Sequence, residues 1–186
     1  MRKLIYSMGV SLDGFIAGPK GVIDWSAPDE ELHRFHNRQA REFGMHLIGR
    51  RLYEEMLPWE TREEQPSVPE HELEFAQIWK QTPKIVFSTT LKSVEGNARL
   101  AEGDAAEIAV ELKRRPGKDL AAGGAALAAT LVEAGLVDEY RLFLSPVVLG
   151  DGTPYLPALE ERIELELAEQ RTFGSRVVYL RYRREP

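Results

Sequence analysis

Cysteine is absent from the 186 residues, which excludes disulfides, a thiolate nucleophile and any Cys-ligated metal site. An excess of positive charge is missing too: 24 Lys and Arg face 30 Asp and Glu, a formal net charge of −6. That balance speaks against a nucleic-acid partner or an anionic membrane surface. No apolar run is long enough to span a bilayer. The opening Met1-Arg2-Lys3-Leu4-Ile5-Tyr6-Ser7-Met8 lacks the apolar core of a signal peptide. His36 and His46 show no metal-ligand spacing, so no metal is expected. Repeats, linkers and low-complexity tracts are lacking as well. The expectation is a single cytoplasmic domain over residues 1–186, long enough to bury a sizeable core, with an ordinary 43% hydrophobic and 29% charged residues.

What is present alternates in type along the chain. The apolar run Leu4 to Val10 predicts a central strand. It empties into Ser11 to Gly18 and the turn Pro19-Lys20-Gly21, where Gly9, Gly14, Gly18 and Gly21 mark a sharply bent loop. Ser26 is expected to cap the next helix, with Pro28 in its first turn and Asp29 completing a capping-box-like pair. Leu32, Phe35, Ala40 and Phe43 supply its apolar face, and Gly44 is expected to end it. Met45 to Ile48 reads as a second strand, running into Gly49-Arg50-Arg51 and a helix start. After a loop around Trp59 to Gln65, Ser67 and Glu70 frame a capping box for a helix to Gln81, stopped by Thr82-Pro83.

Lys84 to Phe87 is a third strand, leading to Ser88-Thr89-Thr90, and Asn97 to Leu100 is a short one. Asp104 and Glu107 frame the next helix, which Pro116-Gly117 closes. A short buried strand from Asp119 then meets Gly123-Gly124, which open a helix running to Glu133 and ending at Gly135. Past Asp138 the pattern turns strand-rich: Tyr140 to Leu149, then Ile163, Leu165 and Leu167 alternating with glutamates, then Val177 to Tyr182. Alternating strands and helices predict an α/β fold with a mostly parallel central sheet, helices on both faces and an antiparallel C-terminal hairpin at one edge.

Three strand ends share one chemistry. Gly49-Arg50-Arg51, Ser88-Thr89-Thr90 and Gly123-Gly124 each follow a predicted parallel strand. Ligands of open α/β sheets bind outside the carboxyl ends of the strands. Free N–H groups at a helix start attract anions, glycines let a ligand approach the backbone, and arginine suits phosphate oxygens. Glycine that merely bends a turn and arginine that merely solvates a helix start remain the plain alternatives. If the three strands are neighbours, one elongated anionic ligand touches all three turns. The dinucleotide fingerprint Gly-x-Gly-x-x-Gly does not follow the glycine pair.

In order, Ser11-Leu12-Asp13-Gly14-Phe15-Ile16-Ala17, Ile48-Gly49-Arg50-Arg51-Leu52-Tyr53-Glu54, Lys84-Ile85-Val86-Phe87-Ser88, Gly123-Gly124 and Pro146-Val147-Val148-Leu149-Gly150-Asp151-Gly152 resemble the dihydrofolate-reductase-like family. The closer resemblance is to the reductase (C-terminal) domain of the bifunctional riboflavin-biosynthesis deaminase-reductase, and it covers nearly the whole chain. The ordered set, rather than one motif, is specific. The resemblance implies NADPH as hydride donor to a pyrimidine- or pterin-like small molecule, such as 5-amino-6-(5-phosphoribosylamino)uracil, and a homodimer. By position it implies that Gly49, Arg50 and Arg51 hold cofactor phosphates and that Ser88 and Thr89 lie near the adenosine 2′-phosphate. Gly123, Gly124, Ala125 and Ala126 would cradle the pyrophosphate, and Ala17 would lie along the nicotinamide. Relatives often carry Thr where Leu52 stands and Arg where Thr89 stands, so one phosphate hydroxyl and one selector of NADPH over NADH are absent. The zinc-deaminase signature occurs nowhere in this sequence.

Hydride transfer needs a proton source beside the ring. Asp13, Asp24, Glu30, Glu31 and His33 are the candidates in the first loop and helix. The resemblance puts Asp13 on the substrate side and Glu31 near the acid of dihydrofolate reductases. The plain alternatives are a turn aspartate and compensation of the helix dipole. Phe15, Trp25 and Tyr155 are candidate walls of the ring pocket. True dihydrofolate reduction and a noncatalytic nucleotide-binding role on the same fold remain open beside the uracil-type reductase.

Overall fold

A computed structural model describes residues 1–185. The first apolar run forms β1 (Leu4–Ser11), and the glycine-rich loop after it contains a three-residue strand β2 (Phe15–Ala17). Then follow α1 (Glu30–Ala40), β3 (Phe43–Gly49), α2 (Arg50–Met56), α3 (Glu70–Gln81), β4 (Lys84–Phe87) and β5 (Ala98–Leu100). The second half holds α4 (Ala105–Arg114), β6 (Asp119–Gly123), α5 (Ala125–Glu133), β7 (Glu139–Ser145), β8 (Thr153–Pro154), β9 (Leu165–Thr172) and β10 (Val178–Arg184).

Eight strands form one sheet in the order β5-β4-β3-β6-β1-β7-β10-β9, while β2 and β8 pair as a separate ribbon. Every pair from β5 to β7 is parallel, and β10 is antiparallel to both β7 and β9. Strand alternation sends Leu4, Tyr6, Leu47, Leu120 and Ala122 to one face, against Leu112 of α4 and Leu131 of α5. Ile5, Phe43, Ala121, Phe143 and Val86 go to the other, among residues of α1 and α3. The expected α/β fold with a parallel core and antiparallel edge is the one observed.

Several boundaries differ from the expectation, each for a local reason. Asp29 caps α1, its Oδ1 accepting from Leu32 N at 2.9 Å, whereas Ser26 Oγ donates to Ile23 O within its own turn. Gly44 lies inside β3 instead of ending the helix. A Cβ there would stand 3.0 Å from Arg2 Nη2 and 3.1 Å from Lys118 Cβ, so the glycine serves packing. Pro69, not Ser67, occupies the cap position of α3, and no side chain closes that end. Strand β7 stops at Ser145 because Pro146 has no N–H for the ladder.

One buried charge cluster ties β7 to β10. Glu139 is fully buried, with Oε1 2.7 Å from Arg141 Nε and 2.8 Å from Arg181 Nε. Arg141 Nη2 also reaches Glu42 Oε2 at 2.8 Å. Burial alone would raise the Glu139 pKa, but Arg141 and Arg181 outweigh it and hold the carboxyl below its ordinary value. Glu139→Ala leaves the buried Arg141 guanidinium with Glu42 alone and the partly buried Arg181 with only a loose 3.5 Å pair to Glu169. It should lower the unfolding free energy by about 3–5 kcal/mol in urea denaturation; a loss under about 1 kcal/mol would show the cluster to be water-screened.

Candidate active site

The three turns are brought together by sheet order. Strands β4, β3 and β6 are consecutive and parallel, with Gly49 paired to Phe87 and Ile48 to Gly123. Gly49-Arg50-Arg51, Ser88-Thr89 and Gly123-Gly124 therefore leave the sheet side by side at one level. Gly124 has φ 93°, which L side chains rarely adopt, and a Cβ there would lie 3.4 Å from Gly49 N. Helix α5 opens at Ala125 with no side-chain cap, so the N–H groups of Ala125 and Ala126 stay available at the turn. Ser88 Oγ accepts from Thr90 N at 3.1 Å and Leu91 N at 3.0 Å and lies 3.3 Å from Thr90 Oγ1, which holds the hydroxyl in place. Arg50, Arg51 and Thr89 are exposed, and Arg50 makes a loose 3.7 Å pair with Glu54 that costs little to break.

A cavity of about 320 Å³ opens on the α1/α3 face of the sheet. Its origin is a floor of small residues: Ser7 and Gly9 on β1, Ala121 and Gly123 on β6. Larger side chains stand around that floor, with Phe43 and Phe143 from the sheet and Trp59, Phe75 and Trp79 from the α3 side. The wall nearest the turns is Leu52. A Cβ on Gly123 would overlap the Leu52 side chain, so this glycine belongs at once to the turn and to the cavity. Leu52, on the helix that follows Gly49-Arg50-Arg51, is thus also a cavity wall.

The polar groups of the cavity are mostly histidines. His33 and His36 on α1 and His46 on β3 line it, and the fourth histidine, His71, packs edge-on against His33 with ring centres 4.8 Å apart. Burial pushes His36 down to about 4, helped by nearby His33, and pushes His46 down to about 4, helped by Lys84. Burial lowers His33 as well. Near neutral pH the cavity is therefore uncharged, and no Asp, Glu, Lys or Arg lines it. His33 Nδ1 and Trp79 Nε1 are buried without a hydrogen-bond partner.

The structure brings neither expected acid into this cavity. Asp13 ties two loops: its carboxylate accepts from Ser11 Oγ at 2.7 Å, Gly150 N at 2.7 Å and Leu149 N at 3.1 Å, which holds it down to about 2. Glu31 faces the β9–β10 turn, accepting from Gly174 N at 3.1 Å and Arg171 Nη2 at 2.8 Å. Glu30 pairs with Arg34 at 2.9 Å. Ala17 pairs with Thr153 in the β2–β8 ribbon, which packs along β1. Tyr155 lies flat on Tyr6, ring centres 4.4 Å apart, in the core shared with α5, and Trp25 sits in a loop bonded to Val22 O. Of the acid–base candidates in the first loop and helix, only His33 lines the cavity. Its partners were missed, although His33 and His36 are three apart and so share a helix face.

Comparison with known proteins agrees with this geometry. The family model described as the RibD C-terminal domain matches residues 2–179. The uncharacterized protein YyaP of Bacillus subtilis (strain 168) is 35% identical over 187 aligned residues, covering 97% of this chain and 94% of YyaP. A protein of Shewanella sp. PV-4 assigned to riboflavin biosynthesis superposes with TM-score 0.76 at 20% identity, covering 100% of both chains. Dihydrofolate reductase of Enterococcus faecalis, solved with NADP(H) and RAB-propyl, superposes with TM-score 0.62 at 17% identity over 99% of this chain and 97% of its own. The fold is thus dihydrofolate-reductase-like.

The depressed histidines carry a pH signature. Between their ordinary pKa and about 4, the unfolded chain binds protons that the folded chain refuses, so stability falls as pH falls. His36 and His46 should each cost on the order of 2 kcal/mol between about pH 7 and about pH 5. Urea midpoints at those pH values should show a smaller drop in His46→Phe than in the parent; equal drops would mean that His46 titrates normally.

Proposed function

Because the chain belongs to the RibD C-terminal domain family, we propose that it is a reductase passing hydride from NADPH to a heterocyclic small molecule, as 5-amino-6-(5-phosphoribosylamino)uracil reductase does. The observation that carries this reading is the junction at Gly123, where an anion-binding turn and an aromatic cavity share one residue. The turn offers a seat for a pyrophosphate and the cavity beside it a seat for a flat substrate ring, the two parts that a nucleotide-dependent reductase must bring together.

The residues fit such a group. Gly123 and Gly124 leave open backbone where a Cβ would collide or strain, and the free N–H groups of Ala125 and Ala126 suit a pyrophosphate. Gly49, Arg50 and Arg51 add backbone donors and positive charge, with Ser88 and Thr89 at the adenosine end and Ala17 along the nicotinamide. A bound nicotinamide supplies the hydride. The protein's own part is to fix the two rings, exclude water and deliver a proton. Asp13 positions the β1–β2 and β7–β8 loops against each other. His33, His36, His46 and Ser7 are the cavity groups that can turn an N–H or O–H toward a ring, all of them uncharged near neutral pH. With no carboxylate in the cavity, dihydrofolate reduction has less support than reduction of an uncharged ring. The engagement of Asp13 and Glu31 elsewhere supports a second reading, a noncatalytic nucleotide-binding protein.

The same proposal includes a cytoplasmic homodimer. Strand β9 is an edge strand, exposed along nearly its whole length, and Leu167 on it is 46% exposed. Light scattering should give twice the mass of one chain.

Titration of the purified protein with NADPH and NADH, followed by nicotinamide fluorescence, tests the core of the reading. NADPH should bind, and Gly124→Val should weaken it at least tenfold, about 1.4 kcal/mol or more. Some loss of fold stability is expected in that variant, because valine disfavours φ 93°. Binding of neither nucleotide would sink the proposal. Tight binding without turnover of any heterocycle would favour the noncatalytic reading.

A further inference from the structure

The chemistry of the cavity narrows the substrate, an inference that rests on the cavity being the substrate side of the reductase. Its volume of about 320 Å³ lies near the lower end for small-molecule sites and suits a ligand of one or two rings. No acidic or basic side chain lines it, and desolvation keeps its histidines neutral. A phosphate or a protonated diamino ring would lose its hydration there and gain no counter-charge. Aromatic side chains from two layers, Phe143 on the sheet and Phe75 with Trp79 on α3, line it and favour a flat guest.

Two groups ask for a specific partner. His33 is 8% exposed and Trp79 4% exposed, both line the cavity, Trp79 Nε1 has no hydrogen-bond partner, and His33 Nδ1 has only the Asn37 side chain beside it to compete with a ligand. A buried orphan of this kind costs free energy until something satisfies it. The indole N–H donates only, so its partner is an acceptor such as a ring carbonyl oxygen. A neutral imidazole either donates or accepts, which matches a ring lactam or a second carbonyl. We infer that this cavity takes a planar, uncharged one- or two-ring carbonyl compound, read by His33 and Trp79 and carrying neither a phosphate nor a cationic diamino edge. The phosphoribosyl-bearing uracil of the riboflavin route and diaminopyrimidine-type antifolates both fall outside that class.

Trp59 and Trp79 line the cavity and Trp25 does not, so the signal is read against a Trp25→Phe background that leaves only the two cavity indoles. The experiment titrates the cofactor-free protein and follows tryptophan fluorescence. Its probes are lumazine and 1,4-naphthoquinone, both uncharged, and uridine 5′-monophosphate and protonated 2,4-diaminopyrimidine, both charged. At least one uncharged ring should quench saturably and bind at least tenfold more tightly than either charged probe. His33→Leu and Trp79→Phe should each weaken that ring about fivefold, and His33→Asp should turn the preference toward the diaminopyrimidine cation. If one variant fails to fold, the other variant and the parent's rank order decide. Equal or tighter binding of a charged probe, or an affinity unchanged by both substitutions, overturns the inference. NADPH binding with no uncharged ring bound overturns the inference and leaves the reductase reading standing. Ring binding without NADPH binding does the reverse.

Discussion

Gly123 has no side chain, and Leu52 packs into the space a Cβ would take. That single contact sets how close α2 comes to the end of β6, and so how the three strand-end turns meet the aromatic cavity. A larger residue would push Leu52 outward and separate the two halves of the site. The parallel register supplies the other half of the constraint. Because Ile48 pairs with Gly123 and Gly49 with Phe87, the three strands deliver their turns at one height. Shifting one strand by a single residue would turn its cavity-facing side chains to the opposite face, so the fold cannot drift without dismantling the site.

The rest of the molecule holds that register from the far side. Beyond the cavity the α1/α3 face continues into Phe143, then Arg141 and Glu139, so β7 passes from an apolar wall to a buried ion cluster within five residues. The cluster joins β7 to β10 and, through Glu42, to the turn between α1 and β3. That linkage anchors the C-terminal end of α1, whose other residues His33 and His36 line the cavity. Asp13 does the corresponding work at the mouth, joining the loop after β1 to the one after β7.

Much of the architecture was legible because it follows from local chemistry. Apolar runs of strand length, separated by capped helices, announce a parallel core, and Asp104 caps α4 as its position requires. The three turns were legible as glycine, arginine and hydroxyl at strand ends, and their adjacency followed once the sheet order was known. The acids were not legible. Asp13 and Glu31 sit where a catalytic carboxylate would be sought, but distant partners, Gly150 and Arg171, take them up. Caps misread for a similar reason: Ser26 and Ser67 satisfy a pattern, while Asp29 and Pro69 occupy the positions where the chain changes direction. The cavity was the least legible of all, since it arises from small residues on β1 and β6, whose separation in sequence hides their common floor.

The consequence for chemistry is a site with dipoles where a charge would be sought. A carboxylate in a reductase cavity both recognises a cationic edge and stores the proton that follows the hydride. Here desolvation keeps His36 and His46 neutral, so under the proposed reductase reading recognition and proton supply would fall to groups with an N–H and no charge. Such groups cost less to bury than an ion, which lets Trp59, Phe75 and Trp79 close around the guest without stranding a charge in an apolar wall. They also supply a proton less readily than an acid tuned to neutral pH. Under that reading, a dione whose reduced anion takes its proton from water after release would suit this arrangement better than a ring whose reduction must be driven by protonation in the cavity.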